Sequence, residues 1–535
     1  MCRSARIASP PYIGLLLLFG CAQMETTPPA SGNAGNGVAG TGGDGSAGGV
    51  GATGAGGNAT GVAGNGVAGS DGGQAGAAGS PAGRGGGQSG SPGGQSGAAG
   101  RGGAAGGGVA GSGGGAACTI VPATTMSTQI PTVAVVTFTT TLTGVTGASI
   151  QFGLPGATPM VAPVDTAAVY YRTLLLGMKA NRDYVYRIVV NSAAGSCTSQ
   201  DVMIHTGNLP TTGAPPKPAR TIPMPAAHAP GFIITSGGTT TGGGSAVVPV
   251  YILDGDGDPV WWAAAPATCS RAHMSWDGKE MWMQELNVDN AGGEMRKIAM
   301  DGTGAMNNIV GLNTSHHDFT VLPDGGIATM LWSSSGMDAP NSLIERSASG
   351  QMTTIIPNLN TIYRSTAGYH ANAIHYYPSD DSYTISDRNV NLFVKVKRNG
   401  QLVWQLGGSN PIGQAFTITG GTWQVNHGHH LLPNGNFLFF TNGPFNGSPP
   451  SQALEYSLNT TSWTATRVWA YQASGVNSPV LSDVQRLPNG NTLVTYSVPG
   501  TIHEVSPTGQ LVMSLDTASV GYAEYRDSLY GPPLR

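Results

Sequence analysis

The sequence predicts an all-β chain: a six-bladed β-propeller preceded by a small β-sandwich and a disordered Gly-rich tether. Three observations predict it. Prolines recur at 323, 378, 433 and 488, a constant step of 55 residues, each inside a turn such as Leu322-Pro323-Asp324-Gly325 or Leu432-Pro433-Asn434-Gly435. Short runs rich in Val, Ile, Thr, Tyr and Phe alternate with Gly and Pro turns over the last 400 or so residues. The 84 glycines fall mostly between about residue 31 and residue 117, where hardly anything could form a core.

The first 20 residues read as an export leader. Arg3 and Arg6 precede the apolar run Tyr12 to Phe19, which ends at Gly20-Cys21. Leu18-Phe19-Gly20-Cys21 resembles a bacterial lipobox, in which the cysteine is lipidated and becomes the mature N-terminus. That resemblance implies a lipid anchor on Cys21, and the following Ala22 favours the outer membrane. Residues 21–117 are Gly/Ala/Ser repeats that cannot bury enough apolar area to offset chain entropy. As a Gly-rich coil such a tether has an r.m.s. span on the order of 55 Å.

Residues 118–208 alternate in period two, as in Thr132 to Phe138 and Tyr184 to Val190, and predict the sandwich. The run Leu176 to Tyr184 resembles the corner of a fibronectin type III domain, where a tyrosine near a strand start bonds back to upstream backbone. Cys118 and Cys197 bracket this domain and are expected to pair in an exported protein, leaving Cys269 as a buried free thiol. Residues 209–227 are a Pro-rich joint. Residues 228–535 carry the repeat, which at about 50 residues per blade gives six blades, or seven at a shorter step. A second turn recurs at Gly257, Gly400 and Gly509, each followed by an apolar strand.

Several function classes drop out on composition. With 24 Lys+Arg against 28 Asp+Glu the chain has no basic excess to attract nucleic acid. No apolar run reaches the roughly 18–20 residues of a membrane helix. No CxxC pair suggests a zinc ribbon, and no phosphate-binding Gly-Lys loop occurs in the folded part.

Of the 11 histidines, eight lie between His273 and His430. His317 and His427 each stand six residues before a repeat proline; Asn372 holds that place in the intervening blade, with His370 two residues earlier. Period-two facing then aims His317, His370, Asn372 and His427 the same way, toward one mouth of the central channel. Arg388 follows one strand after His370. Three imidazoles, an amide and a guanidinium suit the transfer of an anion. His429 should share the face of His427 one step along, His430 should point away, and His316 and His375 are out of phase and read as packing or surface residues. Trp404 reads as core.

His370 to Ile374, Ser386-Asp387-Arg388-Asn389, Val403 to Gly408, and Asn426-His427-Gly428-His429-His430 through Phe440-Thr441-Asn442-Gly443 resemble bacterial arylsulfotransferases, as does His316-His317-Asp318. The resemblance spans about 228–535. It implies an exported six-bladed propeller that moves a sulfuryl group from a phenolic sulfate ester to a phenol, with no nucleotide sulfate, no metal and no other cofactor. Position by position, it implies that His427 is transiently sulfated while His317, His370 and Arg388 bind and polarise the sulfuryl group; Asn372, on the same face by the period-two reading, is expected to bind substrate. The chain departs from the pattern at Asn426, where glutamine is usual, and at Thr441, where aspartate is common. It also lacks a disulfide near the site. Two other classes compete: a non-catalytic propeller lipoprotein that binds a ligand or partner, and a hydrolase using a metal on His317, His427 and His429.

Overall fold

The structure is a computed structural model and describes residues 118–237, 248–286, 293–304, 306, 308–332, 341–366, 368–444 and 446–534. The leader, Cys21 and the Gly-rich segment lie outside the described residues. Among those described, no α-helix occurs. Single 3₁₀ turns at Val169–Tyr171, Pro225–Ala227 and Leu359–Thr361 interrupt a succession of strands.

The N-terminal part consists of two antiparallel sheets. One joins Ile120–Met126, Ala134–Thr140 and Thr173–Leu175. The other joins Met160–Val164, Val145–Gly153, Asp183–Ser192 and Gly195–Thr198, with Val202–His205 also paired to Asp183–Ser192. Alternate residues Tyr184, Tyr186, Ile188 and Val190 are buried, so one face of that strand meets Val136, Phe138, Ile150 and Phe152 in a shared core. Cys118 and Cys197 are bonded, with Cα atoms 6.1 Å apart. The Tyr184 hydroxyl accepts the Lys179 N–H at 2.8 Å, tying the strand start to the turn before it.

The remaining described residues form six sheets, each with an inner strand. In chain order the inner strands are β1 (Cys269–Met274), β2 (Ser315–Val321), β3 (Ala371–Tyr377), β4 (Asn426–Leu431), β5 (Asp483–Arg486) and β6 (Glu524–Arg526). A hydrogen bond joins each to the next. Ser270 Oγ donates to His317 O at 2.6 Å, Ile374 N to Asp318 Oδ2 at 3.0 Å, and Leu431 N to the Tyr377 hydroxyl at 2.8 Å. Arg486 N donates to His430 Nδ1 at 3.3 Å and Tyr525 N to Gln485 Oε1 at 2.7 Å. His273 Nδ1 to Glu524 Oε2, at 2.7 Å, closes the ring from β6 back to β1. Between sheets the cores are apolar on both faces. One draws Ala328, Met330 and Leu343 together with Ile374, Tyr383 and Val394; the next draws Phe393, Trp404 and Leu406 together with Phe437, Phe439 and Tyr456.

The repeat prolines explain the spacing. Gly325, Gly435 and Gly490 take φ of 81°, 84° and 87° and return hydrogen bonds of 3.0, 2.8 and 2.9 Å to Leu322, Leu432 and Leu487. Each Leu-Pro-x-Gly is thus the tight turn from an inner strand to the second strand, with glycine where φ must be positive. In the sheet of β3, Asp381 takes that conformation at φ 51°. Gly257, Gly400 and Gly509 turn the outer hairpins of their sheets in the same way.

Two strands come from far away in sequence. β6 pairs with Phe232–Ser236, so the C-terminal end supplies the inner strand of the first sheet. Ala219–Thr221, within the stretch read as a joint, pairs with Leu511–Asp516, so part of that joint belongs to the last sheet. The N-terminal sheets are fastened to this assembly by Ser127 Oγ to Asp301 O at 2.6 Å, Thr132 Oγ1 to Val260 O at 2.7 Å and Tyr530 Oη to Leu174 O at 3.0 Å. Lys179 Nζ lies 3.1, 2.7 and 2.8 Å from carboxylates of Asp254, Asp256 and Asp258.

Candidate active site

Strand pairing is irregular where β2, β3 and β4 reach one end of the ring. On β2 the partners Ser315–Leu331 and Phe319–Thr329 leave His316, His317 and Asp318 opposite Met330 alone. On β4, His427 and Gly428 stand opposite Phe440 alone, and on β3 Asn372 is an extra residue between paired Ala371 and Ala373. His317 has φ of 60° and Val425, just before β4, has 56°. Such bulges re-aim side chains out of the pleat.

They bring three of the predicted residues together. The His317 ring centroid lies 5.0 Å from that of His370 and 6.1 Å from that of His427. The period-two argument that grouped them does not hold across the bulges: His370 lies just before β3, and His317 leaves the strand in a left-handed conformation. His316, set aside from the sequence as out of phase, is buried in the same cluster. Its ring is 3.9 Å from His317 and 4.8 Å from His370, and it stacks on Trp332 at 3.6 Å.

The backbone N–H of Arg388 donates to His370 O at 3.3 Å. Neighbouring Asp387 fixes this corner, accepting from Tyr363 Oη at 2.6 Å, His370 N at 2.9 Å and Asn389 N at 3.0 Å. Burial pushes the Asp387 carboxyl up to about 6. Burial first, and then the Arg388 charge, holds His317 down at about 3. The same two causes lead for His370 and His427, which stay well below the usual histidine range; His316 does so through burial and the adjoining His317. Near neutral pH the cluster is therefore four uncharged imidazoles in the field of one guanidinium.

His427 has a defined tautomer. Its Nδ1 is 2.5 Å from Asn442 Oδ1, while the Asn442 amide nitrogen donates to Ser478 O at 2.6 Å and to Leu481 O at 2.9 Å. Two carbonyls fix which end of the amide faces them, so the end facing His427 is the acceptor and Nδ1 carries the proton. Nε2 is left as a buried lone pair with no protein partner.

Behind His427, the Tyr522 ring lies 6.4 Å away and covers the Arg271 guanidinium at 4.2 Å. Arg271 is buried between inner strands, with Nε 2.7 Å from Asp318 Oδ1 on β2 and Nη1 2.5 Å from Asp483 Oδ2 on β5. Burial pushes Asp483 up to about 6 against the pull of Arg271. Asn372, grouped with the histidines from its place in the repeat, is fully buried: its Nδ2 donates to Asn426 O at 2.7 Å and its backbone carbonyl accepts from Tyr522 Oη at 2.8 Å. His429 does not join His427. Its Nε2 is 2.7 Å from Thr384 Oγ1, and it lines a separate cavity with Arg271, His273, His375, His430 and Glu524. The metal set His317, His427 and His429 is therefore not assembled. Among the described residues, the histidines whose nitrogens lie within 4.8 Å of one another are His316, His317 and His370. Cys269 is buried as a free thiol, and Trp404 packs in the core.

Asn442 and Tyr522 were not singled out from the sequence. Asn442 lies in the quoted Phe440-Thr441-Asn442-Gly443 segment, so a signal existed; Tyr522, on the approach to β6, had none.

No curated protein matches the chain. Among solved structures, a putative 6-phosphogluconolactonase from Bacteroides fragilis is 13% identical over 56% of this chain and 98% of that one, with a TM-score of 0.37. The periplasmic gluconolactonase of Pseudomonas aeruginosa is 12% identical over 71% and 98%, also at 0.37. Virginiamycin B lyase of Staphylococcus aureus, as an inactive variant with quinupristin, is 12% identical over 58% and 97%, at 0.34. The part of the chain that holds His370, Arg388, His427, Asn442 and Tyr522, residues 365–523, matches the family model described as arylsulfotransferase (ASST).

Proposed function

We propose that this protein is an aryl-sulfate sulfotransferase that passes a sulfuryl group through His427 to a phenol, without a nucleotide sulfate. The observation that carries the reading is the uncharged His427 Nε2, its lone pair unshared, among His317, His370 and the charge of Arg388.

The steps follow from these atoms. Nε2 attacks the sulfur of an aryl sulfate monoanion; the S–Nε2 bond forms as the S–O(aryl) bond breaks, and its electron pair leaves on the phenolate. Positive charge developing on the ring is met by Asn442 Oδ1, which accepts a hydrogen bond from Nδ1–H. The acceptor phenol then attacks the same sulfur: the new S–O bond forms as the S–Nε2 bond breaks, the electron pair returns to Nε2 as neutral His427, and the phenol proton passes through solvent to the phenolate released in the first step. Dividing one displacement into two lowers each barrier. A loose transition state places charge on the sulfuryl oxygens, where Arg388 and the N–H groups of His317 and His370 would each be worth a few kcal/mol. The low basicity of these imidazoles makes them hydrogen-bond donors rather than an imidazolium acid, so the phenolate leaves without full protonation in the empty-site charge state.

The rest of the chain fits an exported enzyme. We read the six sheets as the blades of one propeller and the N-terminal sheets as a fibronectin type III-like sandwich, supported by the Tyr184 hydrogen bond. Cys21 would carry the lipid, and the Gly-rich segment would hold the enzyme off the outer membrane. The test is transfer from p-nitrophenyl sulfate to phenol with and without chelator. Chelator-insensitive transfer that needs the acceptor is expected; absence of transfer from any aryl sulfate overturns the reading.

A further inference from the structure

We propose that His316, His317 and His370 form a binding site for a divalent transition-metal ion, zinc in particular, that overlaps the sulfuryl site and makes the metal a competitive inhibitor. The overlap rests on the reading given above; the metal site itself does not.

Three buried imidazoles lie close enough to share one ion. His316 Nδ1 lies 2.9 Å from the carbonyl of Ala371, so that nitrogen carries the proton and Nε2 holds a lone pair. A backbone carbonyl in this place is how metal-binding imidazoles are commonly oriented. His317 Nδ1 and His370 Nε2 are buried with no hydrogen-bond partner. One nitrogen from each residue can be chosen so that all lie within 4.8 Å of one another. Tetrahedral bonds of about 2.0–2.1 Å put ligand nitrogens about 3.4 Å apart, so the rings need to close by no more than about 1.4 Å.

The chemistry selects the ion. Three imidazoles with no carboxylate suit zinc, copper(II) or nickel(II) and not calcium or magnesium. Three protein ligands leave a fourth position open. Arg388 opposes a bare dication, and an anion such as hydroxide or chloride in that fourth position offsets it.

The experiment is equilibrium dialysis of chelator-stripped full-length protein against zinc chloride, with metal counted by elemental analysis. One zinc per chain is expected, with affinity at least about tenfold weaker in His316→Gln and in His370→Gln, and unchanged in His205→Gln, whose ring is exposed on the N-terminal sheets. Cobalt(II) in the unaltered protein should give the intense visible absorption of a four-coordinate site, which keeps the test valid if either variant fails to fold. In the transfer assay zinc should raise the apparent KM for p-nitrophenyl sulfate and chelator should reverse it. No zinc uptake, or uptake unaffected by both site variants, overturns the metal site; zinc uptake without inhibition of an active enzyme overturns the overlap. If zinc binds but no aryl sulfate is turned over, the transferase reading falls and the metal site stands.

Discussion

Asn442 holds His427 in a single tautomer: its amide oxygen faces Nδ1 at 2.5 Å because its nitrogen is committed to the carbonyls of Ser478 and Leu481. In the proposed reaction the attacking lone pair on Nε2 is thus set by a residue that would not itself touch the sulfur. Asn442→Leu should lower kcat by on the order of 10²–10⁴, the scale seen when a catalytic histidine loses its orienting partner, with little change in KM. Asn442→Asp keeps an acceptor at Nδ1 and should retain more of the rate. Steady-state kinetics with p-nitrophenyl sulfate separates the two variants; equal losses would remove the tautomer argument.

Gly428 follows the proposed nucleophile in sequence and packs against Asp483 of the Arg271 ion pair. A Cβ there would stand 1.9 Å from Asp483 Oδ1 and 2.7 Å from its Cα. Backbone cannot yield as a side-chain tip can, so Gly428→Ala should cost at least the roughly 1–3 kcal/mol of an overpacked core. It should also displace Asp483 from Arg271. A lowered midpoint in urea denaturation is expected; wild-type stability would mean that β4 and β5 can separate without penalty.

Arg271 neutralises two buried carboxylates, Asp318 on β2 and Asp483 on β5 beside the site strands. Its removal leaves Asp318 and Asp483 facing each other uncompensated. Arg271→Met should destabilise the protein by about 3–5 kcal/mol. Adding Asp318→Asn and Asp483→Asn should restore much of the loss, because the cost lies in unpaired charge more than in lost volume. Chemical denaturation of the single and triple variants checks this.

The buried imidazoles give a signed dependence on pH. Burial holds His317 and His429 down at about 3, and holds His316, His370 and His427 well below the ordinary 6.5. Above 6.5 these rings are neutral folded or unfolded, and they add no slope. Below it the unfolded chain binds protons that the folded chain refuses, so stability falls as pH drops from 6.5 toward about 3. Asp387 and Asp483, pushed up to about 6, act the other way between 3.8 and 6, but are outnumbered. Denaturation midpoints should therefore decline from pH 6.5 to 4. The rate of donor cleavage, which needs neutral His427, should stay level over the upper part of that range, and an acid limb centred at or above 6.5 would contradict the buried environment.

The 55-residue step of Pro323, Pro378, Pro433 and Pro488 was legible because a tight turn between inner and second strands needs a fixed backbone conformation, and proline and glycine report it. The same is true of Tyr184, whose corner is a local hydrogen bond. What was not legible depended on distance in sequence. β6 closes the first sheet from the far end of the chain, and Ala219–Thr221 extends the last sheet from within a proline-rich stretch. At the site, residue types and spacing brought out His317, His370, Arg388 and His427. Pleat phase, the reason given for their grouping, failed, because β2, β3 and β4 are bulged where these side chains leave. The same error set His316 aside. A bulge adds residues without any mark in composition, so no period-two count could have found it.

The most direct measurement is to mix the protein with p-nitrophenyl sulfate in the absence of any phenol acceptor and to follow both products. A burst of p-nitrophenolate equal to the protein concentration is expected, with one acid-labile SO₃ group on the peptide that contains His427, discharged when phenol is added. His427→Ala should show neither burst nor adduct while keeping the unfolding midpoint of the parent. A sulfuryl group on another residue, or transfer that survives in His427→Ala, would contradict the account.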